Sequence, residues 1–315
     1  MRLAQAIAQY VDFRKSLGTK FENNAKLLRS FSRAIGEETE LSDVREDRVK
    51  AFLDGRGPLT SFWHSKHAAL CGFYRYAVTR GYATCVPLPT IIPKEPARFV
   101  PYIYSRVELQ RLLDATSCYQ KQRIQMEPDT FRAILLLLYG SGLREGECLS
   151  LTLSDVDLRQ SLLTIRDTKF YKSRLVPLGD EVNAVLVEYA RRRGTAGHSE
   201  DPNAPFFVTK VGARIPNDLL RRAFRRLRRK AGVLRSDGAR FQPRLHDIRH
   251  SFAHRRLTTW YREGKDVHRL LPLLSTYMGH VDITSTQRYL TMTPELLQEA
   301  STRFARYAFS EVSHG

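Results

Sequence analysis

Five prolines, at 87, 89, 93, 96 and 101, fall in a stretch from Ala83 to Pro101 that has no apolar periodicity. Proline holds φ near −65° and lacks a backbone N–H, so neither a helix interior nor a central strand runs through such a segment. The chain therefore divides there. The stretch reads as an extended linker, stiffer than a Gly/Ser tether. The expected boundaries are a unit over 1–82, a linker over 83–101 and a second unit over 102–315, and 315 residues are enough for two separate cores.

The first unit reads as helices. Leu3, Ile7, Tyr10, Val11 and Phe13 form one apolar stripe ending near Gly18. Phe21, Leu27, Leu28, Phe31 and Ile35 form a second, with Gly36 as its stop. A third helix is expected over Asp43–Leu53 and a fourth, longer one over Leu59–Tyr82. Beyond the linker, helices are expected near Ser105–Thr116, Thr130–Tyr139, Glu181–Arg193, Asp218–Ala231, Leu245–Tyr261, Val267–Met278 and Pro294–Tyr307. The short runs Ser161–Ile165 and Leu175–Leu178 flank Lys169 to Arg174 and predict a small antiparallel sheet. The fold class is thus mainly α with a small antiparallel β-sheet.

Charge narrows the function classes. The 51 Lys and Arg against 33 Asp and Glu give a net charge of +18. Residues 1–100 hold 16 basic and 10 acidic residues and the remainder 35 and 23, so both units are basic. Two basic units facing one polyanion fit nucleic acid, with salt-dependent binding through counterion release. From Asp218 to Ala231, Leu220, Ala223, Phe224, Leu227 and Ala231 share one face, while Arg221, Arg222, Arg225, Arg226, Arg228, Arg229 and Lys230 cover much of the rest. Such a helix suits a phosphate backbone; the plain alternative is a solvated charged face. The four cysteines, Cys71, Cys85, Cys118 and Cys148, show no metal-ligand spacing. The longest aliphatic run, Ile134 to Leu138, is too short to cross a bilayer, and a cytoplasmic protein is expected with no membrane partner.

Three polar clusters carry the chemistry: Ser141-Gly142-Leu143-Arg144-Glu145-Gly146-Glu147, His246-Asp247-Ile248-Arg249-His250, and Gly279-His280 followed nine residues later by Tyr289. Breaking a phosphodiester needs a nucleophile, cations on the non-bridging oxygens and a proton for the leaving oxygen. A guanidinium suits the second task because its planar fork matches phosphate and stays charged. Arg144 follows a small-residue turn at a helix start, and Glu147, three residues on, shares its face and is placed to orient it. His246 and Arg249 also differ by three and project side by side. His250, four residues after His246, admits a zinc pair as well. However, Asp247 stands where the zinc-protease pattern has Glu, and no third ligand is evident. Taken singly, each residue has an ordinary use: Tyr289 in packing, Arg144 and Arg249 in surface pairs, His280 at a helix end, Lys169 in a solvated turn.

In order and local spacing these clusters resemble the active site of the tyrosine recombinases, the phage integrase family. The resemblance implies a helical N-terminal core-binding domain that binds DNA, joined to an α+β catalytic domain. It implies that Arg144 and Arg249 hold the scissile phosphate, that His246 is an acid/base group, and that His280 hydrogen-bonds the phosphate. Tyr289 is then the nucleophile, giving a 3′-phosphotyrosine link and a free 5′-hydroxyl. The family's hairpin lysine, which protonates the leaving oxygen, corresponds to Lys169 when Arg174-Leu175-Val176-Pro177-Leu178 is aligned; Phe170 replaces a common glycine, and Lys172 remains a rival. No metal, cofactor or ATP is implied. The implied partner is double-stranded DNA with inverted-repeat half-sites, bound by a homodimer per site and a homotetramer in synapsis. The segment Pro294–Phe309, with Leu296, Leu297, Ala300, Phe304, Ala305, Ala308 and Phe309, suits packing on a neighbour or on its own domain. Two rivals stand beside this reading: a type IB topoisomerase, which shares the chemistry without synapsis, and a catalytically silent DNA-binding regulator.

Overall fold

The computed structural model describes residues 1–96, 100–117, 125–166, 173–239, 241–279, 298–299 and 301–302. The chain divides into two compact units, Met1–Phe99 and Val100–Gly315. Among the described residues no helix is long and apolar enough to cross a membrane.

The first unit holds four helices, α1 (Leu3–Ser16), α2 (Glu22–Ile35), α3 (Glu46–Asp54) and α4 (Ser61–Thr79). Helical spacing puts Leu3, Ile7 and Tyr10 of α1 into one core with Leu28, Phe31, Leu70 and Phe73. Phe13, expected on that stripe, stays at the surface, where its ring stacks on Tyr76 at 5.2 Å with the Arg80 guanidinium 6.0 Å away. Leu88, from the proline-bearing stretch, packs into this same core.

The second unit is built around α6 (Pro128–Ser141), which packs against α5 (Arg106–Ser117), α8 (Asp180–Thr195) and α10 (Asp247–Arg262). Phe131, Ile134, Leu135, Leu137 and Leu138 leave α6 apolar nearly all round, as a helix surrounded by others must be. A short helix α7 (Glu145–Ser150) follows, then β1 (Val156–Asp157), β2 (Leu162–Ile165) and β3 (Arg174–Pro177) in one antiparallel sheet of order β1-β2-β3. The register pairs Leu163 with Val176 and Ile165 with Arg174. Period-two alternation turns Leu163, Ile165 and Val176 to the core. Two further helices, α9 (Asn217–Lys230) and α11 (Val267–Met278), follow among the described residues of the unit. α9 lies on α5 and α7, and α11 lies on α10 and β3.

The expected sheet and the helices expected up to Met278 are present, with one informative shift. α10 starts at Asp247 rather than Leu245, because the Asp247 carboxylate accepts the Arg244 N–H at 2.8 Å and closes a turn just ahead of the helix. His246 is therefore the residue that caps α10, not one inside it.

Candidate active site

Two glycine-ended helices supply the frame. α6 ends on Gly142 at φ +62° and α11 on Gly279 at φ +68°, left-handed positions that favour glycine. Space requires glycine too. A Cβ at 142 would lie 2.3 Å from the Phe252 ring, and one at 279 would lie 2.5 Å from the Arg174 guanidinium. The last carbonyls of a helix lack partners within it and sit at the negative end of its dipole, so cations gather there. Arg249, 3% exposed, donates from Nη1 to the Gly142 carbonyl at 2.6 Å and from Nη2 to the Met278 carbonyl at 2.7 Å. Arg144 donates from Nη2 to the Gly279 carbonyl at 2.8 Å, and Arg174 from Nε to the Tyr277 carbonyl at 3.0 Å. Guanidinium groups from α10, from the residue capping α7 and from β3 thus converge on three consecutive carbonyls, 277 to 279.

Glu147 binds two of these cations together. Its carboxylate accepts Arg144 Nη1 at 2.7 Å, Arg174 Nη1 at 3.1 Å and Arg174 Nη2 at 2.8 Å. It also accepts the Arg144 backbone N–H at 3.0 Å, the glutamate half of a capping box for α7. Burial alone would raise its pKa, but the hydrogen bonds and charge of Arg174, with those of Arg144, hold it at about 2. Two guanidinium groups share this one ionised carboxylate and a third, Arg249, binds the neighbouring carbonyls, so the cluster keeps positive charge for an anion. The Arg144 side chain is 37% exposed, the accessible cation of the pair that shares Glu147.

His246 reaches the same region from the start of α10. Burial of its ring lowers its pKa below the ordinary histidine value, with Arg249 and Arg244 adding to the effect and Asp247 and Glu145 opposing it. A neutral imidazole at pH 7 is able to accept a proton. The segment before it is tied down on both sides. Arg228 donates to the Pro243 carbonyl at 2.6 Å and the Tyr104 hydroxyl donates to the Arg244 carbonyl at 3.0 Å. The His250 ring lies edge-on to His246 with centroids 5.1 Å apart. Among the described residues no group of three or more His, Cys, Asp or Glu side chains is placed to hold a metal ion.

Arg144, Glu147, His246 and Arg249 are thus brought to one region. Lys169 and its rival Lys172, His280, Tyr289 and most of the expected C-terminal helix lie outside the described residues. Of that last segment, Glu299 accepts a 2.7 Å bond from Arg262 Nε. Arg174 was not singled out from the sequence. Its signal was available: in a strand of period two it shares the face of the buried Val176, an odd place for a cation without a partner.

A cleft of about 800 Å³ opens beside His246, lined by Glu145, Arg222, Arg225 and Arg244 among others. α9 forms one wall. Leu220, Ala223, Phe224 and Leu227 face inward as expected, and Arg221, Arg222, Arg225, Arg226, Arg229 and Lys230 are exposed. Arg228 does not join them. Four residues after Phe224, it falls on the inward face, 7% exposed. Arg221 pairs with Glu145 across the cleft.

The profile described as the phage integrase family matches residues 105–295. The chain belongs to that family. The protein y4rB of Sinorhizobium fredii, whose name places it among integrase/recombinases, is 37% identical over 306 residues, 96% of each chain. The tyrosine recombinase XerC of Bacillus subtilis is 28% identical over 265 residues, 83% of this chain and 80% of its own. A Tn1549 transposon integrase solved with transposon right end DNA shares the fold at a TM-score of 0.70 and 17% identity, over 98% of this chain and 100% of that one. A lambda integrase tetramer bound to a Holliday junction does so at 0.63 and 15%, over 92% and 77%. This integrase-family chain is a tyrosine recombinase in its sequence and in its mainly helical fold with a three-stranded antiparallel sheet.

Proposed function

We propose that this site-specific recombinase cuts and rejoins duplex DNA by attack of the Tyr289 hydroxyl on phosphorus, without divalent metal or ATP. The observation that carries the proposal is the convergence of the Arg144, Arg174 and Arg249 guanidinium groups on one helix end, the first two sharing one carboxylate, beside an imidazole of lowered pKa. Cations fixed in this way do not have to reorganise when charge builds on the phosphate oxygens. Arg144 and Arg249 hold the non-bridging oxygens, with Glu147 orienting Arg144, and His280 adds a hydrogen bond. Neutral His246 takes the Tyr289 proton as the tyrosine oxygen bonds to phosphorus. The bond to the 5′-oxygen breaks, and Lys169, with Lys172 the alternative, gives that oxygen its proton. The products are a 3′-phosphotyrosine and a 5′-hydroxyl. Rejoining runs the same steps backwards, and the covalent link conserves the bond energy.

The helical unit over 1–82 serves as the core-binding domain and 102–315 as the catalytic domain, joined through 83–101. The exposed cations of α9 track the backbone beside the cleft. Inverted-repeat half-sites take a homodimer, and two such sites form a homotetramer; the lambda integrase tetramer on a Holliday junction supports this assembly. A nicked suicide substrate tests the nucleophile. Tyr289→Phe is expected to bind DNA as the wild type does and to form no SDS-resistant adduct, while wild-type adducts persist in excess EDTA. Adducts formed by the phenylalanine variant would show that another residue attacks.

A further inference from the structure

We propose that Arg174 is a positioning residue for strand cleavage: it holds the Glu147 carboxylate from the side opposite Arg144 and thereby keeps Arg144 both aimed and positively charged toward the phosphate. The inference rests on the cleavage reading above and adds a positioning residue to those assigned there.

The geometry commits three of the five guanidinium N–H donors of Arg174 within the protein. Nε is spent on the Tyr277 carbonyl at 3.0 Å, and Nη1 and Nη2 form a fork on the two Glu147 oxygens at 3.1 and 2.8 Å. Both side chains are 11% exposed, so this is not a solvent-screened surface pair. A bidentate fork also fixes the carboxylate plane, which a single contact would leave free to rotate. Charge supplies the second part of the role. A carboxylate paired with Arg144 alone would cancel the cation that the phosphate needs; with Arg174 shared on the same carboxylate, the trio keeps one net positive charge. The position is set by the fold: Arg174 pairs with Ile165 at the last described register position of the hairpin, and its guanidinium fills the space above Gly279. β3, α7 and α11 are thereby joined at one point.

The groups facing Glu147 are Arg144 at the start of its own helix and Arg174 from β3, which in turn bond the Gly279 and Tyr277 carbonyls at the end of α11. With Arg174 present the carboxyl stays ionised to about pH 2. Without it, burial is opposed only by the charge and backbone N–H of Arg144, and protonation moves upward. Loss of the carboxylate then releases Arg144 as pH falls, and ionisation restores it as pH rises. The test is single-turnover cleavage of a nicked suicide duplex at saturating DNA, from about pH 5 to about pH 9. Arg174→Ala is expected to cleave roughly 100-fold slower at neutral pH, the scale of a misplaced reacting group, with DNA affinity little changed. It should also gain a further loss at acid pH that Arg174→Ala/Glu147→Gln lacks, and Arg174→Lys should recover much of the rate. If Arg174→Ala does not fold, Arg174→Gln carries the same pH comparison. A uniform loss at every pH with no recovery by lysine would reduce Arg174 to a structural role and overturn the proposal. Wild-type rates for Arg174 variants beside a slow Arg144→Ala would also overturn it and leave the cleavage reading intact; wild-type rates for both would remove that reading.

Discussion

The arginines around Glu147 and those along α9 carry the same charge and are held in opposite ways. Arg249 is buried and Arg174 nearly so, and their donors are committed to carbonyls and a carboxylate at 2.6 to 3.1 Å. Arg222, Arg225, Arg226 and Arg229 stand in solvent on a helix whose other face is apolar. A fixed cation has already lost its side-chain freedom before a phosphate arrives, so it acts on a transition state of defined geometry. A mobile one orders on contact, and its contribution is screened by salt. The difference teaches that arginine count alone does not identify a site; what the guanidinium is bonded to does.

The sharpest way to break the comparison is to remove one cation from each set. Arg144→Ala or Arg249→Ala is expected to slow single-turnover cleavage by about 10²–10³ at saturating DNA, on the order of 3–4 kcal/mol. Arg225→Ala/Arg226→Ala should leave that rate unchanged. Similar cleavage rates for the two groups of variants would abolish the distinction.

Gly142→Ala tests whether the fixed set depends on its carbonyl frame. The added methyl meets the Phe252 ring at 2.3 Å in a backbone region that disfavours side chains. A loss on the order of 1–3 kcal/mol is expected from the overlap and the left-handed conformation. A lowered Tm together with slower cleavage would be the result, since the Gly142 carbonyl holds Arg249. A lowered Tm with full cleavage would free Arg249 from that frame.

The smallest effect sharpens the comparison within α9 itself. Replacing exposed Arg225 or Arg226 by Ala should reduce the slope of log affinity against log salt by about one each. Arg228→Ala should leave the slope alone and lower Tm instead, by roughly 1–3 kcal/mol of stability, because it unmakes a buried bond to Pro243. Salt titrations of DNA binding beside thermal unfolding separate the two outcomes.

Much of this was legible before any coordinates. Local periodicity marked α1 and α2, and the glycine before His280 marked the end of α11. The spacing of Arg144 to Glu147 put both on one turn. Arg228 was legible as well, being in helical phase with Phe224, but was counted with its charged neighbours. Arg174 was harder, because its three partners, Glu147, Tyr277 and the surface of Gly279, are distant in sequence and meet it only when α7, β3 and α11 pack.

Short-range physics therefore settled which segments coil, where they stop and which polar groups are near neighbours along one helix, since these depend on contacts three or four residues apart. Packing alone decided which guanidinium groups share a carboxylate, which carbonyls restrain them and which arginine turns inward. Those outcomes depend on the closure of long loops and on the partners a buried charge must find, and neither is encoded in any single stretch of the chain.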